Sequence, residues 1–208
     1  MLLYLTISKE SSIEQIIERS RFIAHARPVE TKSEAEAFFE EIRIRHRSAT
    51  HNVPAYVIGD HYQLQWASDD GEPQGTSGAP IVHMMVEEKI TNVAIIVTRY
   101  FGGIKLGTGG LVRAYTSSAK LALEEATICQ VHDQNLLSVK LDYKYHGKLQ
   151  NLAENGEFRI NNTIYEDVIT VELAMAPEKT QEIRGLLANL TGGQYQELNL
   201  RQERIKII

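Results

Sequence analysis

At 208 residues and 43% apolar content, the chain can bury a core large enough for one sizeable domain or two small ones. Its formal net charge of −5, from 22 Lys and Arg against 27 Asp and Glu, excludes nucleic-acid binding driven by bulk charge, so any polyanion site has to be local. No apolar run approaches bilayer length, and the opening MLLYLTISKESS is interrupted by Lys9 and Glu10 too early for a secretory signal. A single cysteine, Cys129, admits no internal disulfide and no thiol pair for a metal. A cytoplasmic protein with no membrane contact is expected.

In chain order, the first clear pattern is strand-like. Over Glu18 to Pro28 an alternation of period two puts Arg19, Arg21, Ile23, His25 and Arg27 on one face, a short cationic ladder, and Ser20, Phe22, Ala24 and Ala26 on the other. Lys32 to Ala49 reads as a helix with Thr31 or Ser33 as N-cap, acidic residues early, and Arg43, Arg45 and Arg47 late, the order that the helix dipole prefers. HNVPAYVIG and YQLQWAS follow as strands, with Pro54 suggesting an edge or a strand start because it lacks a ladder donor. Pro80 to Ile90 reads as a second helix with Pro80 in its first turn. The β-branched run Asn92 to Thr98 fits a strand buried on both faces.

Gly110 to Ala126 is the strongest helix. Leu111, Val112, Tyr115, Ala119, Ala122, Leu123 and Ala126 mark its inward face, and Arg113, Thr116, Ser117 and Lys120 its outward one. Before it lie Gly102, Gly103, Gly107, Gly109 and Gly110, giving the order buried strand, glycine-rich turn, helix. Glycines bring backbone N–H groups close to a ligand and a helix N-terminus adds unpaired donors, which together make an anion site. Arg99, Lys105 and Arg113 add full charges, and no acidic residue interrupts Arg99 to Lys120. GGIKLGTGG matches neither the Walker pattern nor the dinucleotide fingerprint, so nucleotide hydrolysis is not supported. The competing interpretation is a tight structural turn whose glycines only permit close packing.

SDDGEPQGTSGAP places Asp69, Asp70 and Glu72 close together, but without calcium-loop spacing and among turn-forming residues. No metal or cofactor is expected there. The economical reading is that these carboxylates pair with Arg99 or Arg113 and orient them, so that both glycine-rich stretches share one surface. Ser77 lies outside a nucleophile elbow, Cys129 reads as a buried inert thiol, and the histidines show no metal spacing. No catalytic residue is assigned. His51, opening a strand near the acidic turn, is kept as a supporting residue.

After residue 134 the segments NLLSVKLDY, YHGKLQNLAENG, FRINNTIY, DVITVELAM, PEKTQEIRGLLANLTGG and YQELNLRQERIKII run strand, helix, strand, strand, helix, strand. That is a ferredoxin-like order.

Arg19-Ser20-Arg21-Phe22-Ile23, Ala49-Thr50-His51-Asn52, Ser68-Asp69-Asp70-Gly71-Glu72-Pro73 with Gly75-Thr76-Ser77-Gly78-Ala79-Pro80, and Arg99-Tyr100-Phe101-Gly102-Gly103 through Tyr115 together resemble the YigZ/IMPACT family. Two positions depart from its pattern: Arg19 where lysine is usual, and Val53-Pro54 after the His-Asn pair. The resemblance implies an α+β chain with a domain similar to the second domain of ribosomal protein S5 over 1–133. A small ferredoxin-like domain similar to those of elongation factor G would follow over 134–208. It also implies association with translation and its regulation, and nucleic-acid binding in the bacterial members. The additional N-terminal module through which eukaryotic members act on a ribosome-associated partner has no counterpart here, so that partner is not carried over. The expectation is a non-catalytic RNA- or ribosome-binding protein, with a protein partner on the ribosome as a further possibility. Arg19, Arg21, Arg99, Lys105 and Arg113 with Gly102, Gly103, Gly107, Gly109 and Gly110 would contact phosphates, and His51, Asp69, Asp70 and Glu72 would support them. The alternative is an enzyme acting on a phosphorylated small molecule at the same loop.

Overall fold

The structure, a computed structural model, describes residues 2–208. The chain divides into two compact units, Leu3–Val131 with Lys206–Ile208, and His132–Ile205 with Leu2.

The first unit is built on a sheet of five strands: β2 (Ser11–Ile17), β3 (Ser20–Pro28), β4 (His51–Ile58), β5 (Leu64–Ala67) and β6 (Val93–Tyr100), in the order β2-β3-β6-β4-β5. The run expected to be buried on both faces is its central strand, β6, paired antiparallel with β3 and β4. One face is covered by α1 (Lys32–Arg45), whose Phe38, Phe39 and Ile42 pack with Tyr56, Ala94 and Ile96. The opposite face takes α2 (Gly78–Glu87) and α3 (Gly107–Glu125), which enclose Phe22, Val53, Ile95 and Val97 with Met85 and Tyr115. Both faces of β3, β4 and β6 are therefore apolar, as a sheet between two helical layers requires.

Local chemistry explains the element ends. Thr31 Oγ1 accepts from Glu34 N at 3.2 Å while the Glu34 carboxylate accepts from Glu30 N at 2.7 Å, a reciprocal cap that starts α1. Glu18 and Arg19 take left-handed φ angles of 45° and 62° and close the β2–β3 hairpin as a two-residue turn.

Four expectations change. The cationic ladder of β3 is not a solvated face: Ile23 and His25 are buried at 5% and 3% exposure, and Arg27 lies over the Phe38 ring while paired with Glu10 and Glu41. Pro54 sits in an interior strand. Its carbonyl accepts from Ser68 N, beyond the last residue of β5, so its missing N–H faces a gap in the ladder and no donor to β6 is lost. The third helix starts at Gly107, so Gly107, Gly109 and Gly110 form its first turn and are not all turn preceding it. Finally, β1 (Leu2–Ile7) and β2 extend the strands to the N-terminal stretch that sequence patterning left unassigned.

The second unit follows β7 (Ile128–Leu141), α4 (His146–Glu154), β8 (Arg159–Tyr165), β9 (Ile169–Met175), α5 (Thr180–Thr191) and β10 (Tyr195–Ile207). Within it the strands are ordered β10-β7-β9-β8. Leu137, Val139, Ile169, Val171 and Leu173 pack under Leu149, Ile183 and Leu187 of the two helices. Gly192, at φ 63°, ends α5 in a left-handed cap.

Candidate functional site

The site grows from one register fact: in the β4–β6 pair His51 lies opposite Arg99, and in the β3–β6 pair Phe22 does. Period two puts all three on the face covered by α2 and α3. Arg99 is consequently 5% exposed. Its Nη1 donates to Glu72 Oε1 at 2.6 Å and its Nη2 to Ser20 Oγ at 3.3 Å. The guanidinium carbon lies 5.4 Å from the Phe22 ring centre and 5.3 Å from that of Phe101. Nε is buried without a hydrogen-bond partner.

Glu72, 8% exposed, also accepts from the Tyr115 hydroxyl at 2.7 Å. Burial, and then the Glu72 charge, push the Tyr115 phenol far above its ordinary range, so it serves as a donor only. His51 Nε2 stands 3.9 Å from the same Glu72 oxygen, and His51 Nδ1 lies 2.7 Å from the Asp70 carbonyl. Glu72, Arg99 and Tyr115 thus form one buried polar cluster, with half-buried His51 at its edge, linking the acidic turn, β4, β6 and α3.

This differs from the expected division of labour among the acids. Neither aspartate reaches an arginine of the second glycine-rich stretch. Asp69 accepts from Gly75 N, Ser77 N, Ser77 Oγ and Gly78 N at 2.7 to 3.2 Å. It folds its own loop and caps α2. Partial burial pushes its carboxyl up, but those donors outweigh burial and hold it below the usual carboxylate range. Asp70, at φ 49°, accepts from Asn52 N at 2.6 Å. Orientation of Arg99 falls to Glu72 because the left-handed turn at Asp70 and Gly71 brings residue 72, not 69 or 70, over the sheet.

The other expected residues separate into groups. A Cβ on Gly102 would lie 2.0 Å from the Arg19 carbonyl oxygen, so glycine here permits the β2–β3 turn to press against the loop. Gly102 N also donates to Ser20 Oγ at 3.2 Å. Gly103 and Gly107 take φ angles of 88° and 70°, a backbone that side chains resist. A Cβ on Gly109 would come 3.6 Å from Arg113 Nη1, so the guanidinium lies along the bare first turn of α3. No side chain caps that turn. Lys105 and Arg113 line a cavity of about 420 Å³ with Glu18 and Ile104; Lys105 also borders a neighbouring one of about 370 Å³ that Glu72, Arg99 and Phe101 line. Arg21 is not brought to this surface: it lies on the α1 side of the sheet, paired with Glu14 at 2.8 Å and set over Tyr100. Ser20, Phe101 and Tyr115 were not singled out from sequence. Ser20 and Phe101 stand inside the quoted motifs beside arginines, whereas the role of Tyr115 needs the helix docked on the sheet.

Comparison with known proteins gives the family. The Impact N-terminal domain model matches residues 18–123, which contain the whole cluster, and a domain of unknown function, DUF1949, matches 139–194. The chain is 36% identical to the IMPACT family member YvyE of Bacillus subtilis over 91% of this chain and 88% of that protein. It is 31% identical to YigZ of Escherichia coli over 92% and 95%. A crystal structure of a hypothetical protein, 30% identical, superposes with a TM-score of 0.60 over 98% of this chain and all of that one. The chain is a member of the IMPACT family.

Proposed function

We propose that the protein is a non-catalytic RNA- or ribosome-binding protein acting in the regulation of translation, in the cytoplasm, and that its first unit carries the contact surface. The observation that supports this is the exposed edge around α3. Arg19, Lys105 and Arg113 have no ion pair among the described residues; Arg19 lies in the turn that presses on Gly102, and Lys105 and Arg113 border a helix start whose amides no side chain caps. Fixed cations beside free backbone donors suit phosphate oxygens. Arg99 belongs to the surface as its buried support and not as a contact.

The family resemblance supplies the translational setting. The first unit is read as similar to the second domain of ribosomal protein S5. The second is read as ferredoxin-like, which the strand order β10-β7-β9-β8 supports. The division is placed at 133/134. Among the described residues no helix is long and apolar enough to cross a membrane.

The test is binding of ribosomal RNA fragments, followed by fluorescence anisotropy across a salt series. With three cations engaged, the log-log slope is about −2 to −3, and Lys105→Glu with Arg113→Glu lowers affinity at least about tenfold. A slope near zero, or an unchanged double variant, rejects the proposal.

A further inference from the structure

The cavity beside the loop has a composition that plain phosphate binding does not need. It measures about 370 Å³, within the lower part of the roughly 300–1,000 Å³ typical of small-molecule sites. Phe101, 46% exposed, and Leu106 and Leu111 give it an apolar wall, while Lys105, Gly107 and Thr108 at the start of α3 form its rim. Arg99 and Glu72 line it as well. Each of the two keeps one unused polar atom: Arg99 Nε is buried with no partner, and Glu72 takes both of its hydrogen bonds on Oε1, leaving Oε2 without a donor among the described residues. The result is an exposed aromatic face and an uncapped helix start around one nucleotide-sized space, with an unpartnered buried donor, Arg99 Nε, on a residue of its lining.

We infer that this cavity binds a single nucleoside monophosphate unit, with its base on Phe101 and its phosphate at the Gly107–Gly109 amides and Lys105. Aromatic rings stack on every base, so Phe101 can hold the unit whichever base it carries. The ion pair of Glu72 with Arg99 offsets the carboxylate charge that would otherwise repel the phosphate. The unit comes either from a free nucleotide or from an unpaired residue of RNA; the second source rests on the proposed RNA-binding function.

The experiment follows backbone amide shifts of Gly107, Thr108 and Gly109 by NMR in the full chain. The titrants are adenosine 5′-monophosphate, adenosine, inorganic phosphate, single-stranded oligoadenylate, and the duplex of oligoadenylate with oligouridylate. We expect the monophosphate to bind at least about tenfold more tightly than phosphate or adenosine, and Phe101→Ala to weaken it about tenfold, in line with the loss of one stacked base, with its thermal unfolding checked alongside. If RNA is the source, the single strand binds more tightly than both the monophosphate and the duplex; if free nucleotide is, the single strand gains nothing over the monophosphate. The inference is overturned if phosphate alone reproduces the monophosphate shifts, or if Phe101→Ala leaves binding unchanged. Loss of RNA binding in the Lys105→Glu, Arg113→Glu double variant together with an inert Phe101→Ala sinks the cavity and keeps the RNA function. Monophosphate binding with no RNA binding does the reverse.

Discussion

Arg99 shows how one residue can change role between sequence and structure without losing its place in the site. Its position in Arg99-Tyr100-Phe101-Gly102-Gly103 marked it as a cation for phosphates; β-sheet parity turned it inward, where a charge has to be paired. Glu72 meets that need, and Tyr115 and Ser20 complete the set of partners. Removing one member of a buried pair leaves the other uncompensated, so Glu72→Gln should destabilise the chain by about 3–5 kcal/mol. Tyr115→Phe, which removes one hydrogen bond to a charged acceptor, should cost about 1.5–3 kcal/mol. Urea unfolding of both variants checks the ranking, and a Tyr115→Phe loss larger than that of Glu72→Gln contradicts it. The importance of Glu72 was only partly legible, because three carboxylates within four positions are equivalent until a left-handed turn selects one.

At the scale of elements, glycine has several meanings that composition alone cannot separate. Gly102 is required by contact, since its Cβ would fall 2.0 Å from Arg19 O, whereas Gly185 lies inside α5 with open space around its Cβ position. Gly102→Ala should therefore cost about 1–3 kcal/mol or more through overpacking of the hairpin turn, while Gly185→Ala should gain about 0.5–1 kcal/mol from helix propensity. Thermal unfolding of the two variants reads opposite shifts; a neutral Gly102→Ala shows that the turn can yield. The helices themselves were largely readable, because capping residues and period-3.6 apolar faces are local signals. The start of α3 was not, since glycines that usually break helices become its first turn once the strand before it and Leu106 hold them in place.

For the whole molecule, pH is the variable that exposes what burial has done. His25 is 3% exposed, its Nε2 has no partner, and desolvation followed by the His46 and Arg45 charges lowers its pKa to about 4, against the opposing pull of Glu10 and Glu41. The unfolded chain thus holds more protons than the folded one between about pH 4 and 6.5. Stability rises with pH through that window and levels off above it. From about pH 7 to 5 this histidine alone should cost about 2 kcal/mol, and His25→Leu should flatten the profile in urea titrations; an equally steep profile in the variant assigns the loss to other groups. From sequence, His25 belonged to a cationic ladder on one face of its strand, because alternation tells which residues share a face but not which face a helix covers. That distinction holds throughout. Local chemistry in the sequence determined the helices, the central strand and the two-part organisation, because propensity, capping and periodicity act over a few residues. Only the tertiary structure decided that Arg99 is buried while Lys105 and Arg113 are exposed beside the start of α3, that Glu72 and not the aspartates pairs with Arg99, and that Arg21 stands on the other face of the sheet, because sheet register and helix docking are settled by burial over long separations in the chain.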